Sequence, residues 1–140
     1  MEYLDYELKQ LLDTTAGGLD VTNVKHLDVP ANFDDWCSGL ITYLDDQELD
    51  TLRDFFQETS SDYDELVEND QVLEAMPVFL QVYVADTVTH PEIRRHALQA
   101  AQKFTDPASF FRSIEKSCVN SAEKLDWLMV LVLMTFSGRG

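Results

Sequence analysis

Residues 45–74 read DDQELDTLRDFFQETSSDYDELVENDQVLE; twelve of these thirty residues are Asp or Glu, and Arg53 is the only base. Leu49, Leu52, Phe55 and Phe56 recur at spacings of three and four, which predicts a helix with one face in a core. On that helix Asp46, Asp50, Asp54 and Glu58 fall every fourth residue and line up as an acidic ridge. At the helical rise the ridge is about 18 Å long, with carboxylates about 6 Å apart, of the order of the charge repeat along a nucleic acid backbone. Asp45 is the expected cap of this helix, and Glu48 three residues on completes an Asp version of the capping box. Like charges at i,i+4 cost a few tenths of a kcal/mol per pair, so three successive pairs point to a use for the ridge.

Working outward, the acidity proves to be local. Residues 1–75 carry 20 acids and 3 bases, and residues 76–140 carry 6 acids and 7 bases, so −17 and +1 sum to the net charge of −16. A chain of 140 residues with 45% apolar content has the size and composition of one folded domain. The reading is therefore one domain, 1–140, made of an acidic half, 1–75, and a near-neutral apolar half, 76–140. A charge of this sign repels nucleic acid phosphates and anionic membranes and attracts basic protein surfaces.

The pattern elsewhere is helical. Leu4, Leu8, Leu11 and Leu12 mark a first helix over 2–13, stopped by Gly17-Gly18. A connection follows, with room for a short strand at Val21–Val24, until Asn32 caps a helix carrying Trp36, Leu40, Ile41 and Leu44. Asp62 opens a short helix through Val67, and Pro77 suits the first position of a buried helix over Val78–Thr87. His90-Pro91 and Asp106-Pro107 repeat a cap-then-proline start, and Asn120 with Glu123 is expected to cap a separate last helix. That helix holds LDWLMVLVLMTF, residues 125–136, apolar at ten of twelve places. It reads as a core helix, with a homodimer interface as the alternative. No stretch alternates with period two, so the expected fold class is all-α, about seven or eight short helices.

His90 to Phe104, HPEIRRHALQAAQKF, resembles the first helix of a HEAT repeat, with Pro91, Ile93, Arg94, Ala97 and Ala101 at the matching places. The resemblance covers fifteen residues, and no second copy lies at the forty-odd-residue period of such arrays. It implies HEAT-like helix pairs in the C-terminal half.

Catalytic signatures are missing from the sequence. There is no glycine-rich phosphate loop and no Gly-x-Ser-x-Gly elbow, and His26, His90 and His96 lack the spacing of a helical metal pair. Residues 62–70 are rich in oxygen ligands but lack the central Gly and terminal Glu of a calcium loop. Cys37 and Cys118 have no metal or redox spacing, and MEYLDYELKQLLD is unlike a secretory signal, so a cytoplasmic location is expected. The expectation is a non-enzyme without cofactor or metal: an acidic protein that inhibits a basic partner by covering its cationic surface. Immunity, anti-restriction and anti-CRISPR proteins are of this kind, and the partner would be a toxin, nuclease or nucleic-acid-binding protein. The expected contacts are Asp46, Asp50, Asp54, Glu58, Asp62, Asp64, Glu65 and Glu68, with Trp36 and Tyr63 as aromatic anchors, because rim charges alone contribute little affinity. The alternatives are an adaptor or secretion chaperone for an apolar client segment, and a HEAT-like scaffold.

Overall fold

The protein is all-α. A computed structural model describes the backbone of residues 2–137 and the side chains of residues 3–124. The helices are α1 (Glu2–Gly17), α2 (Phe33–Asp46), α3 (Asp50–Phe56), α4 (Tyr63–Val67), α5 (Asp70–Thr87), α6 (Pro91–Gln102) and α7 (Pro107–Ser137), with a 3-10 turn at Pro30–Asn32. Helix α1 packs on α5 and α3, α5 on α6, and α6 on α7, around one connected cluster of buried side chains.

Each element follows from its apolar spacing and its ends. In α1 Leu4, Leu8, Leu11 and Thr15 are buried as one stripe of a 3.6-residue period, with Glu7 buried beside it, and Gly18 at φ 99° turns the chain out of the helix. The capping reading holds for α6, where His90 Nδ1 accepts the Ile93 amide at 3.3 Å, and for α7, where Asp106 accepts the Ser109 amide at 2.8 Å. Burial raises the Asp106 pKa, but the hydrogen bonds from Ser109 and Thr105 outweigh it and the net shift is downward.

Four expectations about boundaries are corrected. The helix expected over 45–58 is broken in two, because α2 ends at Asp46 and α3 begins at Asp50. At the break Glu48 adopts φ 59°, the Leu49 amide bonds Leu44 O at 3.0 Å, and the Glu48 amide bonds Asp45 O at 2.9 Å. This is a Schellman ending, completed by the burial of Leu49 and Leu44 together. The same arrangement closes α3: Glu58 has φ 60°, Thr59 N bonds Asp54 O at 3.0 Å and Glu58 N bonds Phe55 O at 3.1 Å. Gly or Asn usually fills that left-handed position, so two glutamates there leave no trace in a sequence reading.

Helix α5, expected to open at Pro77, starts at Asp70, where Asn69 Oδ1 accepts the amides of Gln71 at 2.9 Å and Val72 at 3.1 Å. Pro77 lies inside it. The buried set Val72, Ala75, Met76, Phe79, Leu80, Tyr83, Val84 and Thr87 runs through the proline in one register, so periodic burial overrides the lost N–H. Its outer face is open, Val78 being 50% exposed, so α5 is not buried all round as expected. The two helices expected after Asp106 are one, α7, which passes Asn120 without a break because neither Gly nor Pro interrupts it. The side chains of 125–136, and with them the choice between core and interface, lie outside the described residues. No strand forms at Val21–Val24; the only bridge among the described residues pairs Leu27 with Val88.

The centre of the core is Trp36, fully buried, with ring centroids 6.1 Å from Tyr83, 6.3 Å from Phe110 and 6.4 Å from Phe111. Its indole N–H donates to Thr87 Oγ1 at 2.9 Å. Trp36 thus joins α2, α5 and α7 from inside.

The two left-handed glutamates give a direct test. Glu48→Gly and Glu58→Gly each relieve the Cβ clash of that conformation and are expected to raise unfolding stability by about 1 kcal/mol. Urea unfolding measures it; an unchanged or lowered midpoint contradicts the assignment of these turns.

Candidate partner-binding surface

The acidic surface is assembled around the elbow between α2 and α3, and α1 is fastened to that elbow. Leu49, the N-cap residue of α3, offers no side-chain cap. Glu7 supplies one from α1 instead: its carboxylate, 6% exposed, accepts the Thr51 amide at 3.0 and 3.2 Å and the Leu52 amide at 3.2 Å. A buried carboxylate is stable there because unpaired amides and the helix dipole converge on it. One turn later Gln10 Nε2 donates to Gln47 O at 3.4 Å.

The helix so fastened carries two large exposed aromatics. Tyr3 and Tyr6 precede Glu7 on α1 and are 84% and 69% exposed. From the sequence, the first helix with Tyr3 and Tyr6 is expected to pack on its own core, with docking on a partner as the alternative; the stripe of Leu4, Leu8 and Leu11 does pack, and it leaves positions 3 and 6 outside the core. Trp36, expected as an anchor, is withdrawn from the surface by its burial in the core. Tyr63, the other expected anchor, is half-buried with its ring 5.3 Å from Phe55. Its phenol is pushed up by burial and then by the negative charges of Asp106, Glu58 and Asp64.

The four carboxylates expected to form one ridge do not share a helix, and the eight expected contacts divide into two groups. Asp46 ends α2, Asp50 opens α3, Asp54 sits within α3, and Glu58 lies beyond its end. The others surround α4: Asp62 before it, Asp64 and Glu65 in its first turn, and Glu68 at its C-cap. All are exposed except Asp54, which is partly covered. Arg53 binds three acids at once: Asp45, Asp50 at 3.2 Å and Asp54 at 3.1 Å. The guanidinium pKa is raised, first by the hydrogen bond to Asp45 and then by that to Asp54. Among the described ion pairs, every one in the first half runs through Arg53, so three carboxylates share one cation. Asp46, Glu58 and the four α4 acids have no cationic partner among the described residues.

Among the described residues no group of three or more His, Cys, Asp or Glu side chains is placed to hold a metal ion, and no helix is long and apolar enough to cross a membrane. Burial, and then the charge of Asp34, pushes the Cys37 thiol up to about 12; burial and Glu115 push Cys118 up to about 11. At neutral pH both are thiols, not nucleophilic thiolates. No family model, no curated protein and no solved structure matches the chain.

Two outcomes are expected. Glu7→Ala leaves the first amides of α3 without an acceptor and costs about 1–2 kcal/mol in urea unfolding, while Glu7→Gln costs less because one acceptor oxygen remains. Iodoacetamide at pH 8 should label Cys37 and Cys118 slowly in the folded protein and quickly in denaturant, as mass spectrometry of the alkylated chain would read. Equal rates in both states contradict the thiol assignment.

Proposed function

We propose that this protein is a non-catalytic binding protein that covers the basic surface of a partner protein and so inhibits it. The observation that carries the reading is the pair of exposed tyrosines, Tyr3 and Tyr6, on a helix fastened through Glu7 to α3, in a half-chain whose exposed acids Asp46, Glu58, Asp62, Asp64, Glu65 and Glu68 have no cationic partner among the described residues. Isolated surface acids contribute little to affinity, whereas a buried aromatic surrounded by charge complementarity is how tight interfaces are usually built. Each tyrosine adds apolar area at the cost of few rotors, and its hydroxyl finds a partner at the rim.

The mechanism is competition. Lys and Arg side chains that hold phosphate or substrate in the partner's cleft pair instead with Asp46 and Asp50 at the elbow, with Glu58 beyond the end of α3, and with Asp62, Asp64, Glu65 and Glu68 around α4. The field of a half-chain carrying −17 steers the encounter, which makes association fast and sensitive to salt. Because α1 is pinned to α3 through Glu7, tyrosines and acids are presented on one scaffold, which reduces the ordering cost of binding. A toxin, a nuclease or another nucleic-acid-binding protein has the cleft that fits this description.

The test uses the partner recovered from the source cells on immobilised protein and identified by mass spectrometry. Binding of that purified partner, measured by calorimetry, should weaken steeply with added salt. The triple variant Asp46→Lys, Glu58→Lys, Asp62→Lys, which leaves the Arg53 cluster intact, should weaken it by more than about tenfold, and so should Tyr3→Ala with Tyr6→Ala. A partner that binds the triple variant with unchanged affinity and salt dependence overturns the proposal and favours capture of an apolar client segment.

A further inference from the structure

On the other flank of α1 from the tyrosines, a groove of about 670 Å³ runs between α1 and α5. Its floor is apolar: Leu8, Leu12, Ala75 and Val78, the last being the one large hydrophobic on α5 that is half exposed. Its rim is acidic, with Asp5, Asp13 and Glu74 against the single base Lys9. A second hollow of about 460 Å³ shares Asp5 and Gln71 with the groove and adds Glu65 and Asp70. Together the two make a trough with five carboxylates, one ammonium and an apolar floor.

We infer that this trough docks a basic amphipathic helix of the partner protein, an inference that rests on the proposed basic partner and names the element of it that is held. The shape favours a helix. Two packed helices present a groove into which the side-chain ridge of a third can settle, and Asp5 to Asp13 spans about 12 Å, a little over two turns. The described residues offer no sheet edge for an added strand, so main-chain pairing is not the mode of capture. The charge selects the chemistry of the occupant. A helix with a Leu- or Val-sized stripe fills the floor over Leu8 and Val78, and Lys or Arg at its flanks meets Asp5, Asp13, Glu65, Asp70 and Glu74. A second copy of this chain would bring a molecule of net charge −16 against an acidic rim, and repulsion disfavours it.

The probe is a fourteen-residue synthetic peptide of Leu and Lys arranged with helical periodicity, compared with a peptide of the same composition whose leucines are scattered. The full chain should bind the amphipathic peptide at least tenfold more tightly by fluorescence anisotropy, with amide shifts centred on Leu8, Leu12, Ala75 and Val78. Val78→Lys, at a half-exposed site that spares the core, should weaken binding about tenfold; Asp13→Lys with Glu74→Lys should do the same, with circular dichroism confirming the helices. Tyr3→Ala with Tyr6→Ala should leave the peptide affinity unchanged. Equal binding of the scattered peptide, shifts centred on the elbow, or indifference to Val78→Lys overturns the inference, as does sedimentation showing the groove closed by a second copy. The two readings fail separately. Loss of partner binding in the Asp46→Lys, Glu58→Lys, Asp62→Lys variant with no effect of Val78→Lys on either ligand keeps the proposed function and removes the groove. Peptide docking in the groove with a partner indifferent to elbow charge does the reverse.

Discussion

The fold turns on Thr87. Its hydroxyl accepts the Trp36 indole N–H at 2.9 Å and donates to Tyr83 O at 2.6 Å, and its carbonyl accepts the Leu27 amide at 2.8 Å. One fully buried residue thereby ties the long connection after α1, the first turn of α2 and the end of α5, with every polar atom involved satisfied. An indole N–H left bare at that depth would carry the full cost of its desolvation, about 1–3 kcal/mol. The packing around it is aromatic: Trp36 meets Tyr83, Phe110 and Phe111, while Tyr43 lies over Phe79 with rings 6.1 Å apart. Drawing the largest side chain of the acidic half inward couples α2 to α5 and α7. It also makes α1, not α2, the source of surface aromatics.

The consequence reaches the acidic surface. A straight helix over 45–58 would have carried four carboxylates in one row, with repulsion at every step. The chain instead breaks twice at glutamates in left-handed conformation, which sends Leu49 into the core. Three of the acids gather on Arg53, the one base of the segment, and the others do not pair with it. Geometry and charge point the same way: the breaks relieve the row of like charges, and the one cation binds an acid of α2 and two of α3 together.

What the sequence revealed and what it hid can be traced to particular residues. Helix identity was legible wherever apolar period and cap chemistry agreed, as at His90-Pro91 and Asp106-Pro107, because both signals are local. It failed where tertiary burial decided. Pro77 advertises a helix start, but the stripe from Val72 to Thr87 continues through it, and only packing against α1 and α6 settles which signal prevails. Glu48 and Glu58 could not be read as helix ends, since nothing about a glutamate announces a positive φ. Among the site residues, the exposure of the acids followed from their type. The inward turn of Trp36 did not, because an amphipathic aromatic serves a core and an interface equally well.

The position of Glu7 draws these strands together. It is an acid inside an acidic half, yet it is buried and satisfied, because α3 lacks a cap of its own and exposes amides to which only an acceptor can respond. The contact makes α1 part of the elbow. It fixes Tyr3 and Tyr6 on one flank of the helix and turns Asp5, Leu12 and Asp13 toward α5 on the other. A free N-terminal helix would lose orientation on both flanks together, and a partner would have to bear the cost of ordering it. With the carboxylate seated on Thr51 and Leu52, the aromatic patch and the acidic trough become two faces of one rigid element, and the charge of the first half is displayed along directions fixed by the core.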